Sequence, residues 1–160
     1  MTAILDISEL DDYSAYARGD YQARPWGWYE VLNAGIEGDE EFCEKRIGVR
    51  PFQALSLQRH KGRREFWKVE QGELKVILDG QVHTLKEGDT ILIPRSKAHC
   101  MINATASSVI IYEKKMGVCR EDDNERLYDA YGRDTVTLRP DEIQENLSVE
   151  LYKEITEKLA

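Results

Sequence analysis

Between residues 27 and 115 the chain is written as nine short runs: WYEVL, FCEKRIGV, QALSLQRH, EFWKVEQG, ELKVILDG, QVHTLKEG, DTILIP, HCMIN and SVIIYEK. They are rich in β-branched and aromatic residues and are separated at close intervals by Gly, Pro, Asp or Asn. That rhythm predicts an all-β sandwich or barrel. One hairpin can be placed directly, because Asp79-Gly80 lies between ELKVIL and QVHTL and supplies the positive φ angles a two-residue turn requires. In the first of those runs Leu74, Val76 and Leu78 alternate with polar neighbours, so one face is apolar and the other wet.

The two ends read differently. Residues 1 to about 22 are polar and acidic, which fits a lead-in arm or a short helix. Residues 116–137 are again polar and acidic. In LSVELYKEITEKL the apolar residues Leu147, Leu151, Ile155 and Leu159 recur every four positions with Tyr152 on the same stripe, which predicts a helix lying on a barrel face or a partner subunit. The expected organisation is an arm over 1–23, a barrel over 24–137 and a helical extension over 138–160. At 160 residues the chain is sized for one domain that needs no disulfide staples.

Charge narrows the partners. With 22 Lys and Arg against 30 Asp and Glu, the formal charge is -8, which excludes the overall positive field of a non-specific nucleic-acid or anionic-membrane binder. No run approaches a membrane span and the first residues are acidic where a secretory signal is basic, so a cytoplasmic protein is expected. Cys43, Cys100 and Cys119 form no CxxC pair, which argues for reduced thiols and against a zinc finger.

The chemistry lies between 51 and 103. Gln58 and His60 are two apart, which on a strand puts both on one face. Glu65 opens the next run with Trp67 and Val69 on its parity, and His99 follows a Pro-containing turn with Met101 and Asn103 on its own. Any one of these histidines alone would be an ordinary strand residue. In a closed barrel Gln58, His60, Glu65 and His99 can converge, and two imidazoles, a carboxylate and an amide oxygen suit zinc, manganese, iron, cobalt or nickel. Open coordination positions would remain for water or substrate.

The spacings themselves, Q-x-H, E and G over 58–72 and G, P, H and N over 88–103, resemble the two motifs of the cupins, with Gly72, Gly88, Pro94 and Asn103 at the turn positions. More closely, RPWG (24–27), LSLQRH (55–60), EFWKVEQGELKVILDG (65–80), GDTILIPRSKAHCMIN (88–103), EDD (121–123) and YGR (131–133) are similar to the cupin domain of type II mannose-6-phosphate isomerases. That domain forms the C-terminal part of bifunctional mannose-1-phosphate guanylyltransferase/mannose-6-phosphate isomerases. Departures are present: a family histidine is replaced by Gly62, another by Phe66, a glycine by Phe52, and a small residue by Ser96.

The resemblance implies a double-stranded β-helix, or jelly-roll barrel, that interconverts mannose 6-phosphate and fructose 6-phosphate through an enediol. It implies a divalent metal, zinc first, with manganese, cobalt, nickel or iron as alternatives, on Gln58, His60, Glu65 and His99. Arg24, Arg63 and Trp67 become candidates for substrate binding, and Glu121, Asp122 and Arg133 for catalysis. A homodimer is expected, without an attached guanylyltransferase domain. Two other readings stay open: a non-catalytic cupin that binds a sugar or sugar phosphate, and an iron-dependent oxygenase using His60, Glu65 and His99.

Overall fold

Each of the nine runs forms a strand. The computed structural model describes residues 2–3, 16–119 and 124–159. In chain order the strands are β1 (Thr2–Ala3), β2 (Tyr21–Arg24), β3 (Gly27–Glu37), β4 (Glu40–Val49), β5 (Leu57–His60), β6 (Arg63–Gln71), β7 (Leu74–Leu78), β8 (Gln81–Leu85), β9 (Thr90–Ile93), β10 (His99–Ile102), β11 (Val109–Gly117) and β12 (Asn124–Tyr128), followed by helix α1 (Ile143–Glu157). The larger sheet runs β1-β3-β4-β11-β6-β9, with β2 also on β3, and the smaller runs β12-β5-β10-β7-β8. All pairings are antiparallel. This is the two-sheet jelly roll expected from the sequence.

Alternation decides which side chains face inward. In β11 the buried positions are Val109, Ile111, Glu113, Lys115 and Gly117, every second residue. Between the sheets lies an apolar core that includes Val31, Val49, Trp67, Val69, Leu74, Val76, Met101 and Ile111. The hairpin at Asp79-Gly80 has positive φ at both residues, 49° and 78°, and joins β7 to β8 in register. At the other end of the barrel, RPWG forms the β2–β3 turn. There a Cβ on Gly27 would stand 1.9 Å from the Gly48 carbonyl oxygen, so only glycine lets the turn close and carry Arg24 and Trp26 to the barrel mouth.

Three features differ from the pattern expected. The N-terminal stretch, expected as an arm or short helix, contributes strands β1 and β2, both paired with β3. The polar stretch after 116 contains a strand, β12, which adds to the edge of β5. The helix forms where its periodicity places it and covers the smaller sheet, with Tyr152 buried and Leu151, Ile155 and Leu159 packed against the same cluster as expected, but Ser148 is buried and Leu147 is 44% exposed. Polar anchors explain the shift. Ser148 Oγ accepts from the Gly80 backbone N–H (2.8 Å), and the Tyr152 hydroxyl donates to the Leu55 carbonyl (2.8 Å) and accepts from Ala130 N–H (3.1 Å). Around Tyr152 a second apolar cluster forms from Ala54, Leu57, Ile77, Ala98, Cys100, Ile102 and Leu127.

The three cysteines are buried. No helix among the described residues is long and apolar enough to cross a membrane.

Candidate metal centre and cationic cavity

The turn at Lys61-Gly62 carries the chain from one sheet to the other, so His60 ends β5 in the smaller sheet and Glu65 lies near the start of β6 in the larger. His99 opens β10 and lies directly opposite Gln58 of β5. The Q-x-H parity argument therefore holds: Gln58, His60, His99 and Met101 face the interior, and Leu57, Cys100 and Ile102 face the helix. His60, Glu65 and His99 are buried and offer ligand atoms within 4.8 Å of one another.

Donor logic fixes how the two imidazoles present themselves. His99 Nδ1 lies 2.8 Å from the Lys97 carbonyl, which can only accept, so Nδ1 carries the proton and Nε2 has a bare lone pair. His60 Nε2 lies 3.0 Å from the Arg63 guanidinium, which can only donate, so here too Nε2 is the acceptor. Both lone pairs face Glu65, with His60 Nε2 3.3 Å from Oε2 and His99 Nε2 3.8 Å from Oε1. A backbone carbonyl orienting one ring nitrogen so that the other can bind is how metal-ligating histidines are ordinarily held. Burial pushes both imidazoles down, His60 to about 2, so both are neutral, the form a metal needs.

Glu65 is 2% exposed, and both oxygens are bonded: Arg63 Nε donates to Oε2 (2.8 Å) and Trp67 Nε1 to Oε1 (3.0 Å). Burial alone would raise its pKa, but the Arg63 guanidinium holds the carboxyl well below the usual range. The donor set fits a divalent first-row cation. Arg63 meanwhile engages two of the same atoms, Glu65 Oε2 and His60 Nε2, so a metal and this guanidinium compete for them.

Above these residues opens a cavity of about 220 Å³. Arg24, Lys45, Arg63, Lys115, Arg126 and Arg133 line it, against two acids, Glu65 and Glu113. Six of the 22 basic residues of an acidic chain thus gather on one small surface. Five buried side-chain atoms among the described residues have no hydrogen-bond partner: Glu113 Oε1, Asn124 Oδ1 and Arg126 Nε, on residues that line the cavity, and His60 Nδ1 and His99 Nε2, on the imidazoles beside Glu65. A buried unpaired polar atom costs about 1–3 kcal/mol, so their convergence marks a place built for a polar ligand.

The predicted residues divide. His60, Glu65 and His99 come together, and Gln58, Arg24, Arg63 and Arg133 line the cavity. Arg133 is held by Asp129 through Nε–Oδ2 (2.7 Å) and Nη2–Oδ1 (3.1 Å), while Arg24 is exposed, with its guanidinium 5.4 Å from the Tyr29 ring centroid. Trp67 does not reach the cavity. Its indole is 2% exposed, bonded to Glu65 and set edge-on to His99, because two residues further along the same inward face it lies in the apolar core. Glu121 and Asp122 lie outside the described residues. Phe66, at a position where the family has a histidine, points to the opposite face and packs edge-on against Tyr112, so that departure leaves the cavity untouched. Phe52 and Ser96 keep positive φ, 59° and 66°, so the left-handed backbone survives the loss of the small residues expected there.

Sequence reasoning missed Lys45, Glu113, Lys115, Asn124 and Arg126. For the first three a signal existed. They sit at the core parity of β4 and β11, and a charged residue at an inward position of an alternating strand is costly unless it has a use.

The model of a family described as mannose-6-phosphate isomerase C-terminal matches residues 11–129. The mannose-1-phosphate guanylyltransferase of Escherichia coli (strain K12) is 39% identical over 111 residues, covering 69% of this chain and 22% of that protein. The alginate biosynthesis protein AlgA of Pseudomonas aeruginosa is 38% identical over 130 residues, covering 78% of this chain and 26% of that protein. The chain therefore spans about a quarter of the length of these relatives. Among solved structures, an RmlC-like cupin from Shewanella frigidimarina matches with a TM-score of 0.50 at 21% identity over 76% of this chain and 87% of that one, a likeness of fold.

Proposed function

Because the chain belongs to the family of mannose-6-phosphate isomerase C-terminal domains, we propose that it is a metal-dependent sugar-phosphate isomerase interconverting mannose 6-phosphate and fructose 6-phosphate. The observation that carries this reading is the cavity: six cations and a set of unpartnered polar atoms, in a chain of net charge -8, above two neutral imidazoles and an ionised carboxylate. A phosphorylated sugar satisfies such a surface at both ends. Its dianion pairs with guanidinium groups, for which Arg24 and Arg133 at the mouth are the candidates, and its hydroxyls take the remaining donors and acceptors.

Gln58, His60, Glu65 and His99 would hold the divalent cation, zinc first. When bound, it supplies positive charge that stabilises the oxyanion developing as a proton leaves the carbon beside the carbonyl. Trp67 and Lys97 serve this site by fixing Glu65 and His99, and Asp129 serves it by fixing the Arg133 fork. A homodimer is the assembly proposed, which light scattering reads directly.

The test is metal analysis of the purified chain, followed by a coupled assay in both directions after chelation and after restoring each first-row metal. Turnover that disappears with chelation and returns with metal supports the reading. No turnover with any metal overturns it. A second reading, a non-catalytic sugar-phosphate binder, is favoured by Arg63, whose guanidinium already engages two of the ligand atoms; it predicts mannose 6-phosphate binding without turnover.

A further inference from the structure

Isomerisation needs a group that moves a proton between neighbouring carbons, and the cavity offers two carboxyls, Glu65 and Glu113. They sit on adjacent strands. In the register of β11 against β6, Lys115 faces Glu65 and Glu113 faces Trp67, so Glu113 stands one step along the same inner face. Such diagonal neighbours are about 7–8 Å apart at the backbone, close enough to serve one small ligand.

Their surroundings are opposite. Both oxygens of Glu65 are bonded, and its carboxylate faces two imidazoles. Glu113 is 5% exposed, and its Oε1 has no hydrogen-bond partner; the Lys115 ammonium is 3.8 Å from it, outside hydrogen-bond reach. The charged groups facing Glu113 are Lys45 from β4, Lys115 from its own strand, and Arg63 and Glu65 from β6. Burial pushes the Glu113 carboxyl up. One carboxyl held at both oxygens, and one with an unpartnered oxygen in the cavity wall, mark a division between a charge-holding and a proton-moving role. Among the described residues, Asp129 is bound at both oxygens by Arg133.

We infer that Glu113 is the proton-transferring residue, taking the proton from C2 of the bound aldose phosphate and returning it to C1. This rests on the isomerase reading above. In the aldose-to-ketose direction the C2–H bond breaks and its proton passes to the Glu113 carboxylate. The electron pair left on C2 forms the C1–C2 double bond, and the carbonyl π pair moves onto O1. Glu113 then protonates C1, and the O2 proton moves to O1 as the C2 carbonyl forms. The carboxylate is restored, and no oxidant or reductant is consumed.

The test incubates the full chain, metal restored, with mannose 6-phosphate in deuterium oxide and follows loss of the C2 proton signal by NMR. Calorimetry with mannitol 6-phosphate, which has no carbonyl to enolise, reads binding separately. Glu113→Gln is expected to keep parental metal content and mannitol 6-phosphate affinity while C2 exchange falls by about 10²–10⁴-fold. Exchange within fivefold of an active parent overturns the assignment of Glu113 and leaves the isomerase reading standing. So does a Gln variant that loses exchange together with metal or polyol phosphate binding. A parent that binds mannitol 6-phosphate yet exchanges no C2 proton overturns both. Should Glu113→Gln fail to fold, Glu113→Asp decides the matter: a shortened reach lowers exchange at least tenfold with binding intact, and an unchanged rate refutes the role.

Discussion

Strands β5 and β10 have two faces of opposite chemistry, one residue apart. Toward the barrel interior they present Gln58 at the cavity wall and His60 and His99, which join Glu65 and Arg63 in a buried polar group. Toward the helix they present Leu57, Cys100 and Ile102, closed over by Tyr152. The outer face is dry and held by packing, with polar pins only where the helix meets backbone groups. The inner face keeps ionised groups out of water, which is tolerable only while each has a partner. One face serves stability, and the other spends it on a site.

The comparison can be broken most severely with acid. His60 and His99 have folded pKa values below the ordinary 6.5, His60 near 2, because burial disfavours their charged forms. Below pH 6.5 the unfolded chain therefore binds protons that the native chain does not, and the stability these residues contribute is present above pH 6.5 and lost as pH falls beneath it. Glu65, also lowered, acts in the same direction below the ordinary carboxylate value of 4.5. On the outer face the Cys100 thiol is pushed up to about 12 and the Tyr152 hydroxyl is also raised by burial, so both stay neutral throughout the acid range. Urea unfolding of metal-stripped protein between pH 7.5 and 4 should show a steep loss of stability. His60→Gln should flatten that slope, and Ile102→Ala should lower the whole curve in parallel.

Next in size is Glu65→Ala. It leaves the Arg63 guanidinium buried without its carboxylate, at a cost of about 3–5 kcal/mol, and abolishes metal retention. Urea titration and metal analysis read the two effects, and a variant of near-parental stability would show that Arg63 finds another partner. Ile102→Ala, on the opposite face, should cost about 2–4 kcal/mol by opening a cavity beneath the helix while metal content stays unchanged. A coupled loss of metal there would mean that the two faces are not independent. Smallest is Leu147→Ala. This residue is apolar by periodicity but 44% exposed, so a change within about 0.5 kcal/mol is expected from thermal unfolding. A loss as large as that at Ile102 would place Leu147 in a contact the monomer does not contain.

Much of this was legible in the chain. Nine of the strands, the Asp79-Gly80 turn and the helix follow from local pattern, because a period of two or of 3.6 is imposed by backbone geometry alone. The metal-ligand candidates were legible for the same reason, since two residues two apart on a strand must share a face. Strand β12 was not, because Asn124–Tyr128 has no apolar alternation and exists by pairing with β5. On the helix stripe Ser148 was overlooked, because it is buried for its hydrogen bond to Gly80, which hydropathy does not count.

By itself, then, the sequence determined the all-β architecture, the parity of each strand and the residue types able to hold a metal. Only the tertiary structure decided that Arg63 shares the ligand atoms with any metal, that Trp67 supports the carboxylate from behind, and that Lys45, Glu113, Lys115, Asn124 and Arg126 gather with them around one cavity. The reason is range. Parity acts between residues two apart, whereas burial and charge act across sheets between residues as far apart as Lys45 and Arg126, 81 positions, and no local pattern reports what the opposite sheet will bring.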